Sequence, residues 1–143
     1  VQVIYNLFDQ RAARRLFPLC ARMGVGVVVR CPFDEGSLTG SLEPDTRFPP
    51  EDFRNFYFGG DRLGETCRRV EALRALLVGP HAASLSEAAL RFCLSREEVS
   101  SVIPGMRLKA HVESNARAAD CLPFDATLLD ALREHEWIRD YYR

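Results

Sequence analysis

The sequence has a single lysine, Lys109, and every other one of its 19 basic residues is arginine. Chemistry that needs a lysine amine therefore has one available position. A basic excess is also missing. The formal net charge is −1 and acidic residues are interleaved with the arginines, whereas a nucleic-acid binder is expected to carry surplus positive charge on one face. No apolar run approaches the roughly 18 residues of a membrane span, and no charged-then-apolar signal segment opens the chain. The five cysteines, Cys20, Cys31, Cys67, Cys93 and Cys121, are odd in number, widely spaced and without a C-x-x-C pair. They read as reduced, mostly packed thiols rather than a disulfide or zinc framework. Internal repeats and low-complexity tracts are absent too. Together these absences lead to the expectation of a cytoplasmic chain with neither nucleic acid nor membrane as partner.

What is present alternates between strand and helix patterns. Val1 to Tyr5 is a short apolar run, followed by Asp9 as an expected helix cap and by Leu16, Leu19, Cys20 and Met23 at helical spacing, with Gly24 as the stop. Val25 to Cys31 is β-branched and continuously apolar up to Arg30, which suits a parallel strand covered on both faces. A segment rich in Gly, Pro, Asp and aromatics runs on to about Asp61. Loops longer than about 15 residues are uncommon unless they are functional. Leu63, Cys67, Val70, Leu73 and Leu77 then mark a helix that Gly79-Pro80 ends. A capping box, Ser84-x-x-Glu87, opens the next helix, which should bury Leu85, Ala88, Ala89, Phe92 and Cys93. Asp125 is placed to cap a final helix, and Trp137, Tyr141 and Tyr142 form an aromatic tail.

The most informative stretch is Val99 to Asn115, VSSVIPGMRLKAHVESN. Val99, Val102 and Ile103 suit a buried strand, Pro104-Gly105 a sharp turn, and Leu108, Val112, Ala116 and Ala119 one face of a helix. Gly105 permits close approach of a ligand to the backbone. The first N-H groups of the following helix point at whatever anion sits there, with Arg107 and Lys109 adding positive charge. This arrangement is that of a phosphate site.

The segment closely resembles the last strand-helix unit of the aldo-keto reductases, and VQVIYNLFDQR, GVGVVVRCPFDEGSLTG, RFPPEDFRNFYF and LSEAALRFCLS follow the family's order along nearly the whole chain. The resemblance implies the C-terminal part of a (β/α)8 barrel, an α/β fold with about three β/α units and a C-terminal helix. One partial barrel domain over residues 1–143 is expected, carrying the cofactor-binding half. Length agrees, since 143 residues suffice for one core while a complete barrel needs about 250. The chain is accordingly expected to be a fragment, a truncated gene product or one part of a split protein.

By the same resemblance, the chain holds NADP(H). Arg30 lies where the family sets a side chain against the nicotinamide, and a flat guanidinium can stack on such a ring. Gln2 lies where the family hydrogen-bonds the carboxamide. Cys31, Pro32 and Phe33 end the second strand beside Arg30 and are expected among the cofactor contacts, and Phe33, Gly36, Ser37, Leu38 and Gly40 resemble the loop that wraps the pyrophosphate, although Ser41 stands where a Lys is common. Ile103, Gly105, Met106 and Arg107 match the 2'-phosphate end, with Asn115 at the adenine. His111 replaces a common Arg or Gln and Ser114 a common Glu, which leaves NADPH and NADH both open. Read without the family, Arg30 is also what a surface residue beside a strand looks like, and Arg107 a solvated residue in a first helical turn.

Family members reduce carbonyls with an Asp, Tyr, Lys and His drawn from the first half of the barrel, the Tyr acting as general acid. The only lysine here lies in the cofactor segment, so no catalytic residue is expected in this chain. Two readings follow: the cofactor half of an oxidoreductase that acts on a small carbonyl compound once a complementary N-terminal half-barrel is supplied, or a non-catalytic nucleotide-binding or interaction module of the same fold.

Overall fold

The computed structural model describes residues 1–139, so Tyr141 and Tyr142 lie outside the described residues. Three short parallel strands, β1 (Gln2–Ile4), β2 (Val27–Arg30) and β3 (Val99–Ile103), form a sheet in the order β1-β2-β3. Six α-helices connect and follow them: α1 (Ala12–Met23), α2 (Arg54–Tyr57), α3 (Arg62–Leu77), α4 (Leu85–Leu94), α5 (Lys109–Ala119) and α6 (Ala126–Ala131). Two 3-10 segments, Asp34–Thr39 and Leu132–His135, complete the element list.

Local chemistry explains most of the boundaries. Gly24 ends α1 in the left-handed region at φ 63, and the Gly24 and Val25 N-H groups donate back to Ala21 and Cys20. Ser84 Oγ accepts the Glu87 N-H at 3.1 Å to open α4, and Asp125 Oδ1 accepts the Leu128 N-H at 2.8 Å to open α6. Asp9 is not the cap of α1. The helix begins beyond Arg11, because the turn is already started by Ala13 and Arg14 donating to Gln10 and Arg11, and the Asp9 carboxylate pairs with the Arg11 guanidinium at 2.6 Å instead.

The core lies on one face of the sheet. Val3, Val29 and Val102 share a row and pack against the helix side, where Tyr5 stacks on Phe92 of α4 with ring centroids 5.0 Å apart and meets Phe17 of α1 edge-on at 4.8 Å. Burial of the β2 run is therefore one-sided: Val27 and Val29 are fully buried while Val28 and Arg30 are half-buried, because helices cover only one face of this sheet. In α1 the inward residues are Ala12, Phe17 and Cys20; Leu19 and Met23, expected on the apolar face, are exposed. In α5 only Ala118 is buried, and Leu108 and Val112 face outward.

The register steps by one residue between Val27, which pairs with Val99, and Val28, which pairs with Ser101. Ser100 is left over, and it lies against Gly26, where an added Cβ would come within 2.5 Å of the Ser100 hydroxyl. The long excursion between β2 and α3 folds on itself, with Tyr57, Phe58 and Leu63 forming a small second core against Leu42, Phe48 and Cys67.

Candidate functional site

The C-terminal ends of the three strands converge on one corner. Ile4, Arg30 and Ile103 stand in one row of the sheet, with Gln2, Val28 and Ser101 in the row before the same-facing side. All lie on the face away from the helix core. Gln2, Arg30 and Ile103 are thus brought onto a common surface, although Gln2 sits one row deeper and is exposed.

Asn6, which the sequence reading passed over, ties this corner together. Its side chain is buried, its Nδ2 donates to the Cys31 carbonyl at 2.9 Å, and its Oδ1 accepts the Phe8 and Asp9 N-H groups at 2.9 and 2.8 Å. The end of β1 is thereby fastened to the end of β2. An Asn directly after an apolar strand, where the chain must turn, was the available signal.

Beyond Arg30 the backbone takes an unusual course. Cys31, Asp34 and Glu35 all occupy the left-handed region, at φ 51, 47 and 55, followed by Gly36 at 99 and Gly40 at 73. The Phe33 carbonyl accepts from the Gly36 and Leu38 N-H groups, which draws the segment into a tight loop. Pro32 is buried and the Leu38 side chain is fully inside the core, so that of the residues expected to meet the cofactor along this segment these two can offer only backbone. Arg30 Nη1 lies 3.2 Å from the Cys31 sulfur. Arg74, reaching from α3, donates to the Gly40 carbonyl at 2.8 Å, and an added Cβ at Gly40 would come within 2.4 Å of that guanidinium.

At the third strand end, Gly105 does not need a glycine conformation, and an added Cβ there would meet nothing within 4 Å. The space in front of it is open. Asn115 Nδ2 reaches back to the Gly105 carbonyl at 3.4 Å, joining two of the expected residues. The first turn of α5 carries no acidic residue and no side-chain cap; the His111 and Val112 N-H groups donate to the Leu108 carbonyl, which leaves the Lys109 and Ala110 N-H groups ahead of them without an acceptor among the described residues. Arg107 is exposed, with no partner among the described residues, while Lys109 pairs with Glu113 at 3.6 Å and is 91% exposed. Met106 and His111 are exposed beside them.

This donor set, an uncapped helix start, an unpaired guanidinium and a second guanidinium at the neighbouring strand end, fits an anionic dinucleotide laid across the corner. A separate hollow of about 590 Å³ lies over the excursion, lined by Arg47, Phe48, Arg54 and Arg68 among others, and none of the strand-end residues borders it. Its charges are largely engaged: Arg54 pairs with Asp52 at 2.7 Å, which holds that carboxyl down at about 2, and Arg68 bonds Glu65.

The model of the aldo/keto reductase family matches residues 1–136. The chain belongs to that family. Among curated relatives, a probable voltage-gated potassium channel subunit beta of rice, Oryza sativa subsp. japonica, is 30% identical over 125 residues. That match covers 83% of this chain and 38% of the rice protein. The NADH-specific methylglyoxal reductase of Escherichia coli K12 is 25% identical over 138 residues, covering 94% of this chain and 41% of the enzyme. Among solved structures, an aldo-keto reductase from Bacillus halodurans in its holo form is 26% identical at a TM-score of 0.67, covering 100% of this chain and 46% of that one. The glycerol dehydrogenase of Gluconobacter oxydans, at 20% identity and a TM-score of 0.81 over 94% of this chain and 41% of that one, shares the fold. The three-stranded unit is therefore part of a (β/α)8 barrel, and the chain spans about two fifths of the length of the curated relatives it matches. No helix among the described residues is long and apolar enough to cross a membrane.

Proposed function

We propose that this chain is the cofactor-binding part of an NADP(H)-dependent aldo-keto reductase, an oxidoreductase that interconverts a small carbonyl compound and its alcohol. The observation that supports it most is the third strand end, where Ile103 pairs with Arg30 and is followed by an exposed Arg107, without a partner among the described residues, and by an uncapped α5. In this reading Arg107 and the α5 N-H groups hold the 2'-phosphate, with Asn115 and His111 toward the adenine. The loop from Cys31 to Gly40 meets the pyrophosphate through its backbone, and Arg30 and Gln2 flank the nicotinamide. When bound, the cofactor supplies the hydride.

The proton and the residues that manage it come from elsewhere. Lys109 projects into solvent and pairs with Glu113, so it cannot serve as the lysine that adjusts a general acid. The catalytic Tyr, Lys, Asp and His belong to a complementary N-terminal half of the barrel, which is the partner this reading requires. Likeness to a potassium channel subunit beta favours a second reading, a non-catalytic nucleotide-binding or interaction module of the same fold.

Calorimetric titration of the chain with NADPH and NADH tests the first reading. Saturable binding, tighter for NADPH, is expected, without substrate-dependent loss of NADPH absorbance until the complementary half is added. Loss of general-acid assistance alone costs about 10² to 10⁴ in rate. Steady turnover by the chain alone would overturn the division of labour, and no binding of either nucleotide would overturn the cofactor assignment.

A further inference from the structure

The loop after β2 is held by a residue 105 positions away in sequence. Asp34, one of the three non-glycine residues in the left-handed region, buries its carboxylate. That carboxylate accepts from the Tyr57 hydroxyl at 2.7 Å and the Ser37 hydroxyl at 2.5 Å, and it forms an ion pair with Arg139 in which both side chains are nearly inaccessible, 3% and 4% exposed. The Arg139 guanidinium also lies 4.3 Å from the Trp137 ring centroid and 4.9 Å from that of Phe8. It therefore joins the C-terminal segment, the turn after β1, the small helix α2 and the loop. A buried pair broken on one side leaves an uncompensated charge, which a surface pair does not. The loop's costly backbone conformation persists only while its surroundings enforce it.

We propose that Arg139 is a positioning residue: by gripping Asp34 it latches the C-terminal segment over the loop and holds residues 31–40 in the shape that receives the cofactor pyrophosphate. Arg139 does not touch the cofactor; it acts through Asp34. The inference rests on the cofactor reading above, and its test separates the two.

In the full chain, N-ethylmaleimide labelling of each cysteine is followed by mass spectrometry. Cys31 reports the loop, and buried Cys20 and Cys93 report global opening. Arg139→Met should accelerate Cys31 by about tenfold or more while leaving Cys93 unchanged, should alter the emission of Trp137, the sole tryptophan, and should weaken NADPH by about tenfold. Arg139→Lys should restore part of each effect, Asp34→Asn should reproduce Arg139→Met, and the double variant should be little worse than either single one. Should Arg139→Met fail to fold by circular dichroism, the Lys and Asn variants carry the test. Unchanged Cys31 labelling, joint acceleration of Cys31 and Cys93, or faster Cys31 labelling with unchanged NADPH affinity would each overturn the proposal. If the unsubstituted chain binds no NADPH, the cofactor reading falls, and the ratio of Cys31 to Cys93 labelling alone decides the latch.

Discussion

The helices α4 and α5 flank the same strand, yet they are built on opposite principles. α4 starts from a Ser84 cap and buries Leu85, Ala88, Ala89, Leu90, Phe92 and Cys93, whereas α5 starts at Leu108 with no side-chain cap and buries only Ala118. One is fixed by packing. The other lies against α4 with little of its surface buried, and an exposed Arg107 precedes its uncapped first turn. The helix that contributes least to the core is the one whose open end suits an anion, a division expected when binding surfaces are drawn from the less tightly packed parts of a fold.

Substitutions on the two helices should separate this contrast. Phe92 is fully buried against Tyr5, so Phe92→Ala is expected to cost about 3–5 kcal/mol, whereas Val112→Ala on exposed α5 should stay within about 0.5 kcal/mol. Urea unfolding followed by circular dichroism reads both, and equal losses would erase the contrast. Next in size, Arg107→Ala in the complete barrel should weaken NADPH by about 1.5–3 kcal/mol, leave NADH nearly unaffected and leave the melting temperature alone. A matching loss for NADH would take the 2'-phosphate away from Arg107. At the helix starts, Ser84→Ala should destabilise by about 1 kcal/mol while Leu108→Ala costs almost nothing, because only the first removes an acceptor from a helix N-H.

A further effect, on the α4 side of the contrast, is expected in alkali. Burial pushes the Tyr5 hydroxyl up to about 12, even though Arg96 Nε donates to it at 3.0 Å and pulls the other way. A folded-state value above the ordinary 10 means that the neutral phenol stabilises the fold fully below pH 10. That contribution is lost as the pH rises from 10 through 12. Phenolate absorbance should show one tyrosine ionising late, at the onset of unfolding. Ionisation of every tyrosine near pH 10 in a folded chain would contradict the packing around α4.

What could be read from residues alone follows the same division. The α4 boundaries and buried face were legible because a capping box and apolar spacing are local signals, and Asp125 and Gly24 acted as expected for the same reason. Periodicity also grouped Leu108 with Val112, but it cannot say whether anything covers the face they share, and nothing described here does. In α1 the apolar residues occupy more than one face, so the spacing favoured Leu19 and Met23 while the bulk of Phe17 against Tyr5 set the actual orientation. Asn6 and the Asp34–Arg139 pair were beyond reach for another reason. Each depends on contacts between segments distant in sequence, and polar residues in a turn or a tail look alike whether buried or solvated.

The one-residue step beside Gly26 gives β3 a tolerance to the loss of one residue. Counting from Ser101 onward, side chains alternate so that Val102 meets the core and Ile103 joins Arg30 on the open face. Losing a residue within that stretch would turn every later side chain over, driving a polar group inward and moving the Pro104-Gly105 turn off the corner. Losing Ser100 would not, because it is the unmatched residue, and its removal would bring Val99 and Ser101 into simple succession opposite Val27 and Val28. Of all the positions in this strand, Ser100 is where a deletion can be absorbed while the binding corner stays in place.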